Sequence, residues 1–191
     1  MKITFLDAST VDAGDINLDC IREHGDLIIH STTSNNETLQ RVIDSEIIIT
    51  NKVIIDKPII EASKKLKLIV VSATGYNNID VDAANANNVT VCNVVDYSTP
   101  IVAQHTISLI LNLCGQTYKY LNEKSLWPAS PIFTRLDHRV TEISGKTLGI
   151  VGVGNIGSKV GEIAESMGMK IQVLARKDSK SLIHQEWPRL E

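Results

Sequence analysis

Runs dominated by aliphatic residues, separated by polar stretches with helical spacing, recur from the first residues of the chain. Ile3–Leu6, Leu27–His30, Ile47–Thr50, Leu68–Val71 and Val89–Cys92 have this character, which is the pattern of strands covered on both faces in a parallel sheet. The intervals carry helix signals. Ser34-Asn35-Asn36-Glu37 has capping-box spacing ahead of Leu39, Val42 and Ile43, and Pro58 sits where the first turn of a helix over Ile59–Ser63 begins. Asp80 stands where its carboxylate can cap Val81–Asn87. Strand and helix alternating about five times predicts an α/β lobe of flavodoxin-like type over residues 1–98, with ligands at the C-terminal ends of its strands.

Thr99-Pro100 opens the longest helical pattern, with Val102, Thr106, Leu109, Ile110 and Leu113 on one face and Ile107, Leu111 and Cys114 beside it. A helix apolar around most of its girth is predicted to be buried on most sides. That suits a connection between two lobes that also packs against a second copy. Leu126 to Val140 holds Trp127, Pro128, Pro131 and Phe133 without clear periodicity, so an extended arm is predicted, with aromatics that need a partner surface. Residues 99–144 thus read as an interdomain helix and a dimerisation arm. Residues 145–191 read as one βαβ unit: Thr147–Val151, Asn155–Met167 and Lys170–Leu174. The edge beyond Lys170–Leu174 is expected to leave backbone groups unpaired, which favours swapping or strand pairing between copies.

Gly152-Val153-Gly154-Asn155-Ile156-Gly157 lies between that strand and that helix. A dinucleotide-binding turn needs this order: the first glycine turns the chain, the second lets backbone approach a pyrophosphate, and the third lets helix lie against strand. The phosphates then sit on the helix N-terminus, where N–H groups and the positive dipole end favour an anion. Gly152, Gly154, Asn155, Ile156 and Gly157 are the cofactor-binding candidates; a plain glycine-rich turn is the alternative. Only 34 residues follow Gly157, so residues 145–191 are the first half of a Rossmann domain of the usual order.

Composition narrows the partners. With 19 Lys and Arg against 22 Asp and Glu, and no basic block, a nucleic-acid footprint is absent. Acids exceed bases by six in residues 1–100, whereas bases exceed acids by three in residues 101–191, so the half with the glycine turn is the one suited to an anionic cofactor. Cys20, Cys92 and Cys114 lack CxxC spacing, which predicts reduced thiols in a cytoplasmic protein and no metal site. No apolar run reaches membrane-span length, and Met1-Lys2-Ile3-Thr4-Phe5-Leu6-Asp7 reads as a short strand interrupted by an acid rather than a signal peptide.

Four motifs in unbroken order carry a resemblance. They are Ala73-Thr74-Gly75-Tyr76-Asn77-Asn78-Ile79-Asp80; Val91-Cys92-Asn93-Val94; Tyr97-Ser98-Thr99 with Val102-Ala103-Gln104-His105-Thr106; and Gly145-Lys146-Thr147-Leu148-Gly149-Ile150-Val151-Gly152. Together the chain resembles the D-isomer-specific 2-hydroxyacid dehydrogenases, most closely their glycerate dehydrogenase (hydroxypyruvate reductase) branch. The resemblance implies two lobes flanking a cleft, a nicotinamide cofactor, and hydride transfer involving a small 2-oxo acid. It implies that backbone amides at Thr74 and Gly75 hold the substrate carboxylate, a plain strand-to-helix turn being the alternative. Asn51 and Lys52 end another strand on the same cleft; Lys52 can attract the anion or be an ordinary solvated lysine. Thr106 is implied as a cofactor neighbour.

The family's general acid, a histidine paired with a glutamate, and its carbonyl-polarising arginine in an Asn-x-x-Arg-Gly setting have no match here. Arg189 has the wrong surroundings. His24, His30, His138 and His184 read as surface residues, and His105 reads as a packing histidine within the crossing helix. No catalytic residue is assigned. In NAD-preferring members an acid ends the second strand, about 18 residues after the last glycine, to bind the ribose hydroxyls. Ala175 occupies that place, followed by Arg176. Loss of the carboxylate and gain of a guanidinium favour the 2′-phosphate of NADP over NAD, the bland alternative being solvated basic residues. The whole reading is the N-terminal portion of a longer enzyme, inactive by itself and completed by a missing or separate segment. The rival is a non-catalytic nucleotide-sensing or protein-binding member of the same fold.

Overall fold

A computed structural model describes residues 1–174 and 186–190. The chain divides into two compact units, Met1–Tyr97 and Ser98–Glu191. In the first, strands β1 (Lys2–Phe5), β2 (Asp26–Ile29), β3 (Ile47–Thr50), β4 (Leu68–Val71) and β5 (Thr90–Asn93) form a parallel sheet in the order β2-β1-β3-β4-β5. That is the flavodoxin-like order. The aliphatic runs are continuous because both faces are covered. Ile48, Ile69 and Val71 enter one apolar cluster with Val42, Ile60 and Ala84, whereas the alternate residues Phe5, Ile49 and Val70 belong to a second with Ala8 and Leu27.

The helices of this unit are α1 (Asp19–Arg22), α2 (Asn35–Val42), α3 (Lys57–Ala62) and α4 (Val81–Ala86). Ser34 and Asp80 cap helices where the sequence predicts, whereas α3 starts at Lys57, ahead of Pro58, with Asp56 as its cap. The Glu37 carboxylate accepts from the Ser34 N–H at 3.0 Å and from its hydroxyl at 2.6 Å. Asp56 and Asp80 accept from the N–H groups of Ile59 and Ala83 at 3.2 and 2.9 Å. Helix α1 and a short 3₁₀ turn at Ala8–Thr10 carry no sequence signal of that strength; they form because Val11, Leu18 and Ile21 roof the second cluster.

The second unit opens with α5 (Thr99–Gly115), followed by α6 (Thr117–Asn122) after a left-handed residue at Gln116, φ 53°. Within this chain α5 buries one face. Only Ala103 and Ile107 are buried, because they are the face set in the cluster with Ile150, Val160 and Ala164; Leu109, Leu111 and Leu113 stay exposed. The arm also differs from a wholly extended segment. It starts as a 3₁₀ turn over Lys124–Ala129 that contains Pro128.

Strands β6 (Thr147–Val151), β7 (Lys170–Leu174) and β8 (Arg189–Leu190), with α7 (Asn155–Ser166) between the first two, make a parallel sheet in the order β6-β7-β8. The edge of β7 is therefore not left bare: Val173 donates to the Pro188 carbonyl at 2.8 Å and β8 runs alongside. Trp187 holds this strand in place. Its indole is 3 % exposed and lies so close over α7 that a Cβ on Gly161 would overlap the ring. Among the described residues no helix is long and apolar enough to cross a membrane.

Beyond the 3₁₀ turn the arm is pinned to α6 by charge. Arg135 donates to the Glu123 carboxylate at 3.0 Å and meets Asp137 at 2.7 Å, and the His138 Nε2 lies 3.0 Å from the same Glu123 oxygen. The Tyr120 hydroxyl reaches the Arg135 and His138 carbonyls at 3.3 and 3.2 Å, and its ring meets Trp127 edge-on. The hydrogen bond to His138, then Arg135, holds the Glu123 carboxyl below its ordinary value. A carboxyl depressed in the folded state stabilises above its unfolded pKa of about 4.3 and loses that contribution as pH falls through the lower folded value. The arm should thus stay docked at pH 6 and loosen in acid. The Trp127 indole resonance should move in a step below about pH 4, and Glu123→Gln should abolish the step; a step unchanged in that variant would mean another group controls the arm.

Candidate substrate and cofactor sites

In the second unit, β6 ends at Val151 and the chain reverses through Gly152, whose φ of 91° excludes most side chains. The Gly152 N–H donates to the Leu174 carbonyl at 2.9 Å, tying the turn to the end of β7. Val153, 7 % exposed, anchors the turn in the core. A Cβ on Gly157 would overlap the Gly152 carbonyl oxygen, so the third glycine is what allows α7 to start this close to β6. Gly154 is different. It is exposed, its conformation is extended, and a Cβ there would meet nothing within 4 Å among the described residues. The fold does not require a glycine at this position, whereas close approach by an anion does.

Among the described residues no side chain caps α7 at Gly154, and Asn155 and Ile156 are exposed in its first turn. The positive end of the helix dipole faces this turn. The turn therefore fits the pyrophosphate of a dinucleotide, with Gly152, Gly154, Asn155, Ile156 and Gly157 around it. Thr106 is half-buried on α5, next to Ile107 of the core cluster, and its hydroxyl donates to the Val102 carbonyl at 2.8 Å. Ala175 and Arg176 lie outside the described residues.

In the first unit, Thr74 and Gly75 follow β4. The Thr74 hydroxyl donates to the Val94 carbonyl at 2.9 Å, the Asn93 amide donates to the Thr74 carbonyl at 2.7 Å, and the Val94 N–H donates to the Ala73 carbonyl at 3.1 Å. These bonds lock the turn against the exit of β5. Among the described residues the N–H groups of Thr74 and Gly75 meet no protein acceptor, which leaves two donors on a fixed backbone. Lys52 is exposed at the end of β3. The Ser72 N–H donates to the Thr50 carbonyl at 2.8 Å, so Lys52 and the Thr74–Gly75 turn leave from neighbouring strand ends.

The histidines need correction. His105 is exposed rather than packed, because it points away from the α5 face set in the core. His138 is paired with Glu123, not merely a surface residue. His30 is half-buried at the end of β2, and burial, then the Arg41 charge, holds its pKa below the usual value. His184 lies outside the described residues. Sequence reasoning also missed Asp7, read as an acid interrupting the first strand. It is 3 % exposed, and its carboxylate accepts from the N–H groups of Asn51 and Lys52.

The D-isomer specific 2-hydroxyacid dehydrogenase catalytic-domain model matches residues 6–181. A hydroxypyruvate reductase of Blautia hydrogenotrophica is 32 % identical over 90 % of this chain and 55 % of that protein. A glycerate dehydrogenase of Methylorubrum extorquens is 33 % identical over 89 % of this chain and 54 % of that protein. The solved structure of an acyclic imino acid reductase in complex with NADPH and D-Arg superposes with a TM-score of 0.81 at 26 % identity, covering all of this chain and 60 % of the other. The chain thus spans about 55 % of the length of such curated relatives.

The two glycines separate fold from ligand. Gly157→Ala should cost stability by about 1–3 kcal/mol, since backbone must shift to admit the methyl, and lower the denaturation midpoint. Gly154→Ala should leave the midpoint unchanged or slightly raised but weaken NADPH about tenfold in a fluorescence titration. Equal NADPH affinity in Gly154→Ala and the parent would remove the phosphate role from this turn.

Proposed function

Because this chain belongs to the D-isomer-specific 2-hydroxyacid dehydrogenase family, we propose that it binds the substrate and cofactor of a glycerate dehydrogenase (hydroxypyruvate reductase)-type enzyme. The reading is carried by the Thr74–Gly75 turn, whose backbone is locked by Asn93 and Val94 while its own N–H groups meet no acceptor among the described residues. Two such donors suit one carboxylate, and the Lys52 ammonium adds long-range attraction. A small 2-oxo acid is the substrate class. A nicotinamide cofactor held at Gly152, Gly154, Asn155, Ile156 and Gly157 supplies or accepts the hydride when bound. The proton donor and the cation that polarises the carbonyl are assigned to no residue of this chain, so residues 1–191 alone should be inactive. Three free thiols, Cys20, Cys92 and Cys114, support a cytoplasmic setting.

NADP is the favoured cofactor. The support is chemical: Ala175 offers no carboxylate to repel a 2′-phosphate, and Arg176 can pair with one. The test is a titration of the chain with both cofactors in the presence of hydroxypyruvate. NADPH should bind roughly ten- to a hundredfold tighter than NADH, with no oxidation of either. Arg176→Ala should weaken NADPH and spare NADH. Equal loss for both would withdraw the NADP assignment, and turnover at an ordinary enzymatic rate would show that the chain holds its own proton donor.

A homodimer is the second part of the proposal. Phe133 is 98 % and Leu136 78 % exposed on the arm, while α5 exposes Leu109, Leu111 and Leu113. Isologous pairing is the commonest way to cover such a surface. Sedimentation at micromolar concentration should give a dimer, and Phe133→Asp with Leu136→Asp should give a monomer. A monomeric parent chain would count against both elements.

A further inference from the structure

We propose that Asp7 is a positioning residue: it fills the anion-binding crevice between the ends of β1 and β3, and so directs the substrate carboxylate one strand along, to Thr74–Gly75. The topology makes that crevice expected. The chain leaves β1 for β2 on one side and reaches β3 on the other, and a doubly wound sheet binds ligands where its strand order reverses in this way. The donors of the crevice are the first N–H groups past β3. Here they are taken. Asp7 Oδ1 and Oδ2 accept from the Asn51 N–H at 2.9 and 3.1 Å, and Oδ2 accepts from the Lys52 N–H at 2.6 Å.

The backbone of Asp7 is tied in as well. The Thr10 hydroxyl donates to the Asp7 carbonyl at 2.7 Å, and the Asn51 side-chain amide donates to the Thr10 hydroxyl at 3.0 Å. Asp7 is only 3 % exposed, and a buried carboxylate is tolerated only with such hydrogen bonds. It occupies the place that a ligand's anionic group would take. At the turn after β3 the first two N–H groups are then taken and the Lys52 side chain remains, while among the described residues the N–H groups of Thr74 and Gly75 after β4 meet no acceptor. Lys52 is also the only Lys or Arg between β3 and α3 or between β4 and α4. Fixing its backbone therefore fixes where the positive charge starts. This inference rests on the reading of Thr74–Gly75 as the carboxylate site.

The experiment is a pyruvate titration of the ¹⁵N-labelled chain, followed amide by amide, in the parent, Asp7→Asn and Asp7→Ser. In the parent, the Thr74 and Gly75 amides should respond and the Asn51 and Lys52 amides should not. In both variants the Asn51 and Lys52 amides should join the responding set, and affinity at Thr74–Gly75 should fall roughly three- to tenfold. A folded variant with the parent's responses and affinity overturns the proposal, as does loss of the folded spectrum in both variants, which would make Asp7 a brace of the fold. If the parent shows no response at Thr74 and Gly75, the carboxylate-site reading fails by itself. Asp7 is then judged on whether pyruvate reaches Asn51 and Lys52 only when the carboxylate is gone.

Discussion

A parallel strand pairs its N–H groups along its length and then runs out of partners at its C-terminal end, where the next helix also turns its unpaired N–H groups toward solvent. In this chain the fate of those end groups decides the chemistry. After β3 the N–H groups of Asn51 and Lys52 are taken by Asp7; after β4 those of Thr74 and Gly75 meet no acceptor among the described residues; and after β6 the chain passes through a glycine turn into α7. On the proposed reading, three similar strand ends thus take three roles. The difference between them is whether the protein supplies its own acceptor.

The same economy shows in the glycine turn. Gly152 and Gly157 are demanded by the fold, one by its left-handed backbone and the other by the carbonyl that a methyl would strike. Gly154 is not so constrained. A sequence motif merges these positions because all three read as glycine, yet the described residues demand only the first and third. That distinction supports the proposed phosphate role of Gly154, since a plain turn would need only the other two.

Much of the first unit was legible in sequence because its signals are local. Buried runs mark the strands, and Ser34, Pro58 and Asp80 mark helix starts close in sequence to the turns they open. Long-range partners were not legible. Asp7 meets amides 44 and 45 residues away, so in sequence it is only an acid ending an aliphatic run. Trp187 belongs to none of the elements predicted from sequence, and its seat over Gly161 depends on α7 packing on the sheet. For α5, composition records how much of the helix is apolar but not which surface covers it.

Exposure on α5 and the arm has a physical consequence for how the two ends of this unit behave. The β8 edge is closed from within by Trp187, a single large ring in a fitted space. The arm is closed by charge instead, with Arg135 shared between Glu123 and Asp137 and its apolar residues turned outward. A surface held up by ion pairs and loaded with exposed Phe133 and Leu136 cannot owe its conformation to burial of those side chains within the unit. Its shape is set in advance, so an apolar partner surface would meet an arm already ordered and would be spared much of the entropy cost of ordering it.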